Sequence, residues 1–368
     1  MLEKIFETNI RFAHYCAPEK DPYDYWLSEY EDGLTMAQCD EFFATLREHI
    51  VPLLKKIKAQ PQLDDAMLHG SFPETAQDAL SRYLMRTMGL DLDHVGLATT
   101  EHPFTTSLGS HFDERITTHY LEDNFASSMF SVIHEGGHAL FMQNEPEEFY
   151  REHAANSMSN AMHECISRFY ENLIGRSEAF IHFIYPKLRE ITGDTFADVT
   201  ERELYEAANV AQPGLIRCDA DELTYCLHIL IRYELEKAFV NGEITVDEIP
   251  ALWNAKYKEY LGVDVPDDAS GCLQDVHWSG SYGYFPSYAL GSAYGAQILH
   301  TMQKELDVFG LAAKGDLLPI RDWLKEHVFS IASISTPDEW IRAITGESLN
   351  VRYFLDYLEQ KFSALYAL

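Results

Sequence analysis

Apolar residues recur along most of this chain at spacings of three and four, the period of a helix with one buried face. Between 36 and 58 they fall at Phe42, Phe43, Leu46, Ile50, Leu53, Leu54 and Ile57. Directly before them stands Thr35-Met36-Ala37-Gln38, a threonine followed three places later by glutamine, which is a capping box. Ser71-Phe72-Pro73-Glu74 predicts a second helix start, with Gly89 as its stop. Thr245-Val246-Asp247-Glu248 and Thr336-Pro337-Asp338-Glu339 repeat the start signal. The latter has proline at the first helical position, where its missing N–H costs nothing. Periodic stretches near 123–143, 156–176, 219–241 and 286–308 predict further helices. Between His94 and Tyr120 the pattern changes, and HVGLATTEHPFTTSLGSHFDERITTHY predicts a small hairpin or three-stranded sheet. No linker, repeat or charge block divides the chain. The pattern therefore predicts a mainly α protein, one large helical body over 1–368 with a small β insertion at about 94–120.

Composition narrows the function. The 368 residues are 46% hydrophobic and 13% aromatic, enough for a sizeable core and unlike a disordered chain. Lys and Arg total 28 against 59 Asp and Glu, a net charge of −31. That excess repels phosphate backbones and anionic lipid, which argues against nucleic-acid and membrane partners and favours peptides or cationic solutes. The six cysteines are scattered without a CxxC pair, the usage of reduced thiols in a cytoplasmic protein. No stretch has the length of a signal-peptide core or a membrane span.

Chemistry concentrates in His134-Glu135-Gly136-Gly137-His138. On a helix, positions i and i+4 share a face, so two imidazoles converge on one cation and the intervening Glu135 is placed to activate water. The two glycines each cost roughly 1 kcal/mol in a helix interior, and tight packing against a neighbouring element is the simplest offset. A third ligand is needed. Met162-His163-Glu164-Cys165-Ile166-Ser167-Arg168 offers Glu164, with His163 competing, and adjacent helical positions diverge by about 100° so that only one of them reaches the metal. Arg217, before an acid-rich helix start, suits bidentate binding of a carboxylate, or else pairs with Asp219 or Asp221 to stitch two helices. The run from Gly271 through His277 and Trp278 to Tyr284 and Tyr288 reads as a cleft-lining loop with donors for an oxyanion, or as plain core aromatics.

Together these segments resemble the carboxypeptidase Taq family of zinc metallocarboxypeptidases. The likeness is an ordered series: His102-Pro103-Phe104, Asp113-Glu114-Arg115-Ile116-Thr117, the HEGGH run, His163-Glu164-Cys165-Ile166-Ser167, Ile216-Arg217-Cys218-Asp219-Ala220-Asp221, Gly271 through Trp278, and Gly283-Tyr284-Phe285-Pro286. It extends from about Pro22 to the C-terminus. The resemblance implies a deep-grooved helical fold related to the neurolysin and angiotensin-converting-enzyme type of peptidase. It implies zinc, replaceable by cobalt, on His134, His138 and Glu164, with Glu135 as general base. It further implies Arg217 as carboxylate binder, His277 with Tyr284 or Tyr288 as substrate and transition-state contacts, and His102 and Arg115 in motifs lining the groove. Peptides with a free C-terminal carboxylate are the implied substrates and a homodimer the implied assembly. There are departures: the family's additional N-terminal helical segment is not matched, Gly136 stands where a larger residue is usual, and Cys165-Ile166 replaces Gln-containing variants. An oligoendopeptidase or dipeptidyl carboxypeptidase of the same fold, or a catalytically silent zinc-binding paralogue, are the rival readings.

Overall fold

Thr35 starts its helix as the pattern requires. Its hydroxyl accepts from Gln38 N at 3.4 Å, and Gln38 Oε1 accepts from Thr35 N at 2.9 Å, so two otherwise orphaned backbone donors are satisfied reciprocally. The helix runs Met36–Lys58 and buries the seven apolar residues named above. Thr336 and Glu339 form the same box with Pro337 at the first position, and Thr245 and Glu248 form a third. These contacts come from a computed structural model, which describes residues 1–155 and 157–368.

Three starts differ from the pattern for local reasons. The helix Glu74–Met88 ends on left-handed Gly89 as expected, but Ser71 does not cap it. Its hydroxyl donates to Glu122 instead, at 3.1 Å, and the helix entry is held by Phe72, buried against Phe125 and Phe196. The stretch at 219–241 becomes helical only at Tyr225, because Asp221 Oδ1 first accepts from both Leu223 N and Thr224 N at 3.0 Å and holds a turn. The stretch at 156–176 gives Asn160–Arg168, followed by a wider π-helical turn over Phe169–Gly175.

The expected β insertion is a three-stranded sheet. Strands β1 (Val95–Thr99), β2 (Thr105–Ser107) and β3 (Glu114–Thr118) lie in the order β1-β3-β2, with β3 parallel to β1 and antiparallel to β2. The central strand is buried except at Arg115, and its Ile116 face covers the helix Phe125–Asn144 that carries HEGGH. No helix among the described residues is long and apolar enough to cross a membrane.

Three helices meet behind the sheet: the HEGGH helix Phe125–Asn144, the helix Asn160–Arg168 that carries Glu164, and Pro286–Met302. The last is buried almost all round and built largely of small residues, among them Ala289, Gly291, Ala293, Gly295 and Ala296. Small residues let backbones approach closely. A Cβ at Gly137 would lie 2.8 Å from Ile166 O and from Ser167 Cα, and one at Gly291 would lie 2.9 Å from Glu164 Cγ. The Glu164 helix is thus gripped on two sides, by Gly137 against the Ile166–Ser167 backbone and by Gly291 against the Glu164 side chain and Cys165 N.

One buried carboxyl stands apart. Glu114 is fully buried on β3, and neither oxygen makes a well-formed hydrogen bond. Burial, helped by the charges of Asp113 and Glu145 and only partly offset by the Ser107 hydroxyl, pushes its pKa up to about 8. A carboxyl whose folded pKa lies above its unfolded value of 4.5 stabilises the fold fully at low pH, and that contribution drains away as pH rises from about 4.5 through 8. Thermal melts should therefore find Glu114→Gln more stable than wild type at pH 8.5, with the advantage shrinking or reversing at pH 5.

Candidate active site

The HEGGH helix delivers His134 and His138 to one side, their ring centroids 5.0 Å apart. Glu164 approaches them from the next helix. Its Oε2 lies 3.7 Å from His134 Nε2 and 3.4 Å from His138 Nε2, and the three donor atoms fall within 4.8 Å of one another. Bonds of about 2.0–2.2 Å to a tetrahedral zinc ion place two ligands about 3.4 Å apart, so this donor set matches such an ion. Two imidazoles and one carboxylate leave a fourth position for water or substrate, the pattern of a catalytic site.

Each donor is held from behind. His134 Nδ1 meets Glu171 Oε2 at 2.8 Å, which fixes the ring and leaves Nε2 facing the group. His138 Nδ1 meets His163 Nδ1 at 2.6 Å. His163 therefore backs His138 instead of competing with Glu164, and it stacks on Phe141 with centroids 4.8 Å apart. Burial, then the His138 charge, lowers His163 to about 3, so it is neutral. Arg168 donates to Glu164 Oε1 at 2.8 Å and to Glu171 Oε2 at 3.1 Å. Burial alone pushes both carboxyls up. Arg168, with the neighbouring imidazoles, outweighs it, holding Glu164 well below the usual carboxylate range and Glu171 at about 2. Burial likewise opposes charge on His134, but Glu164 and Glu171 together raise its pKa. Glu135, the second residue of the HEGGH run, is buried and accepts from Thr105 Oγ1 at 2.6 Å.

A second charged group lies across one aromatic ring from the first. Arg217 binds neither Asp219 nor Asp221. Its Nε and one terminal nitrogen reach Asp275 Oδ1 at 3.3 and 3.1 Å, and its backbone N–H donates to Gln274 Oε1 at 3.0 Å. Arg232, with no exposed side-chain surface, grips the other oxygen of Asp275 at 2.6 Å and Gln274 Oε1 at 2.9 Å. Tyr225 joins the two groups: its ring lies 4.0 Å from the Arg168 guanidinium, and its hydroxyl is 3.5 Å from Arg217 Nη1. Tyr288 lies 5.3 Å from the Arg217 guanidinium, and its hydroxyl meets that of Tyr284 at 3.0 Å. Glu164 is near enough to raise the pKa of both phenols, after burial, which is the larger cause.

The remaining predicted residues divide. His277 sits between Trp278 and Phe285 beside the two arginines, both ring nitrogens buried without a hydrogen-bond partner. Burial, then Arg232, lowers it to about 3. His102 Nε2 is 4.0 Å from Cys218 Sγ, which sets the 102–104 loop against the Arg217 turn. Arg115 is not gathered in. It points away from the Ile116 face, exposed, and binds its neighbour Asp113 at 3.0 and 3.1 Å. Thr105, Glu171, Arg168, Tyr225, Arg232 and Asp275 were not singled out from the sequence. Asp275 lies within the Gly271–Trp278 run, and Glu171 and Arg168 were legible as i+7 and i+4 neighbours of Glu164 on a continuing helix.

A mainly helical body with a two-histidine, one-glutamate group and an adjacent buried arginine pair defines a metal-dependent peptidase. The chain belongs to the carboxypeptidase Taq (M32) metallopeptidase family, whose model matches residues 1–362. It is 43% identical to Carboxypeptidase 1 of Bacillus subtilis over 370 residues, covering all of this chain and 74% of that protein. It is 38% identical to Thermostable carboxypeptidase 1 of Thermus thermophilus, covering 98% of this chain and 72% of that one. The solved M32 carboxypeptidase from Deinococcus radiodurans superposes with a TM-score of 0.95 at 34% identity, over all of this chain and 74% of the other. This chain is accordingly a metallocarboxypeptidase, and its family implies a divalent metal and peptide substrates.

Helix spacing decides whether Glu164 reaches both histidines, and that yields a prediction. Gly137→Ala forces a methyl against the Ile166–Ser167 backbone, an overpacking that costs about 1–3 kcal/mol, and should weaken metal binding at least tenfold. Gly136→Ala should be milder, because its methyl meets Met88 Sδ and Cε, the end of a flexible side chain. Melting temperature and metal titration of the two variants check both statements.

Proposed function

We propose that the chain is a single catalytic domain, a zinc-dependent carboxypeptidase that removes residues one at a time from peptide C-termini. His134, His138 and Glu164 would hold the zinc ion, Glu135 would serve as general base, and Arg217 would receive the terminal carboxylate. One observation carries this reading: the single Tyr225 ring that separates the metal-binding group from Arg217. Arg217 and Arg232 share one carboxylate, Asp275, so this buried cluster keeps one net positive charge. A buried charge of that kind favours an anionic partner, and a peptide's terminal carboxylate is one. Asp275 also pins Arg217, which sets how far from the catalytic residues a peptide end can sit and so confines cleavage to the terminal bond.

A bound divalent cation supplies Lewis acidity, polarising a carbonyl and acidifying water. Glu135 takes the proton from the attacking water and returns it to the leaving nitrogen. Tyr284 and Tyr288 share one hydrogen bond between their hydroxyls, so one hydroxyl hydrogen is left to donate to the developing oxyanion. His277, neutral and without a protein hydrogen-bond partner, would contact the terminal residue beside the arginine pair, and His102 would act from the loop that meets Cys218. Arg115 is given no part in the reaction. The two imidazoles and one carboxylate suit zinc, and cobalt should substitute for it. The six free thiols fit a cytoplasmic enzyme, and a homodimer follows the family resemblance.

The decisive test is metal analysis of the purified protein with a time course of trimming on a mid-length peptide, with and without chelator. Single-residue steps, lost with chelator and restored by zinc, are expected; internal fragments or dipeptides would point to an endopeptidase or a dipeptidyl carboxypeptidase. Glu135→Gln should keep its metal and lose at least roughly 10²-fold in kcat. Arg217→Ala should raise KM for peptides with a free C-terminus and leave C-terminally amidated peptides, already poor substrates, unchanged.

A further inference from the structure

Glu135 is anchored by a strand as well as by its own helix. Thr105 Oγ1 lies 2.6 Å from Glu135 Oε2 and 3.0 Å from the Glu135 carbonyl oxygen. Thr105 opens β2, where its ladder partner is Ile116. Residues directly opposite in an antiparallel pair point to the same face. The Ile116 face is the one that meets the HEGGH helix: two places along it, Thr118 donates to Ser131 Oγ at 3.5 Å. Strand register thus directs the Thr105 hydroxyl at the helix, and a β-branched side chain has few other rotamers to adopt. Thr106, one residue on, faces the opposite side.

The two distances have chemical consequences. While Glu135 is a carboxylate, the hydroxyl donates to Oε2 in a short, charge-assisted bond. Once that carboxyl carries a proton, the same hydroxyl oxygen can accept from it while its own hydrogen turns to the Glu135 carbonyl. A hydroxyl has one hydrogen and two lone pairs, so it can serve both states without moving. A glutamate on a helix surface otherwise has several rotamers, most of them pointing its carboxyl away from any one reacting water.

We propose that Thr105 is a positioning residue for Glu135, holding its carboxylate in one place through this hydrogen bond. The proposal rests on Glu135 being the general base. Thr105→Val removes the hydroxyl at nearly constant volume, Thr105→Ser keeps it, and Thr105→Ala serves if the valine fails to fold. Each is made in the wild-type and the Glu135→Gln backgrounds, and kcat, KM, metal content and melting temperature are measured on the full chain.

Thr105→Val should lower kcat about 10- to 100-fold, with KM and metal content close to wild type, and Thr105→Ser should recover most of the loss. In the Glu135→Gln background the valine should have little further effect, because coupled residues are non-additive. Wild-type kcat in Thr105→Val would overturn the proposal. So would an equal loss in Thr105→Ser, or the same fractional loss whether or not Glu135 is present, which is what a merely structural role gives. Wild-type turnover in Glu135→Gln itself would overturn the assignment of the base, a separate result from a failure at Thr105.

Discussion

The closeness of two helix backbones is the constraint on which the site depends. Glu164 has a short reach, and its carboxylate meets both imidazoles only because the helix that carries it lies almost in contact with the HEGGH helix. Gly137 permits that approach on one side and Gly291 on the other. Both glycines lie inside helices, where glycine is intrinsically unfavourable, and their conformational cost is offset by the packing they allow. The third ligand is thus placed by a backbone contact at Gly137, which cannot change rotamer, and by direct confinement of the Glu164 side chain at Gly291.

Electrostatics is organised around that contact in two groups. In one, Arg168 lies between Glu164 and Glu171, and His134 lies between the same two carboxylates. In the other, Asp275 lies between Arg217 and Arg232. Buried charges left unpaired are costly, and paired ones are strongly oriented. On the proposed reading a divalent cation would close the first group and a peptide carboxylate the second. Tyr225 lies between them, its ring under one guanidinium and its hydroxyl near the other. One tyrosine thus spans the distance between the metal-ligand group and the arginine pair.

The sheet contributes orientation more than bulk. It sits as an edge on the HEGGH helix, and the alternation of its side chains decides which residues face the chemistry. Thr105 and Ile116 look toward the helix while Arg115 looks away, although Arg115 belongs to the Asp113–Thr117 motif segment. A motif fixes residue identity along the chain; a strand's two-residue period then sends neighbours in opposite directions.

Much of this was legible in the sequence. Capping boxes at Thr35, Thr245 and Thr336 are local hydrogen-bond patterns and act over four residues, so they could be read directly. His134 and His138 share a face through helical periodicity alone, and the cost of the two glycines signalled that something must pack against them. The partner of each glycine, the choice of Glu164 over His163, and the pairing of Arg217 with Asp275 in place of Asp219 or Asp221 could not be read that way. Those contacts join residues 25 to 58 positions apart, and Arg232 and Thr105 lie in no recognisable pattern. Local backbone preference fixes which side chains share a face; which faces meet is settled only when helices and strands pack, because only packing removes the water between them.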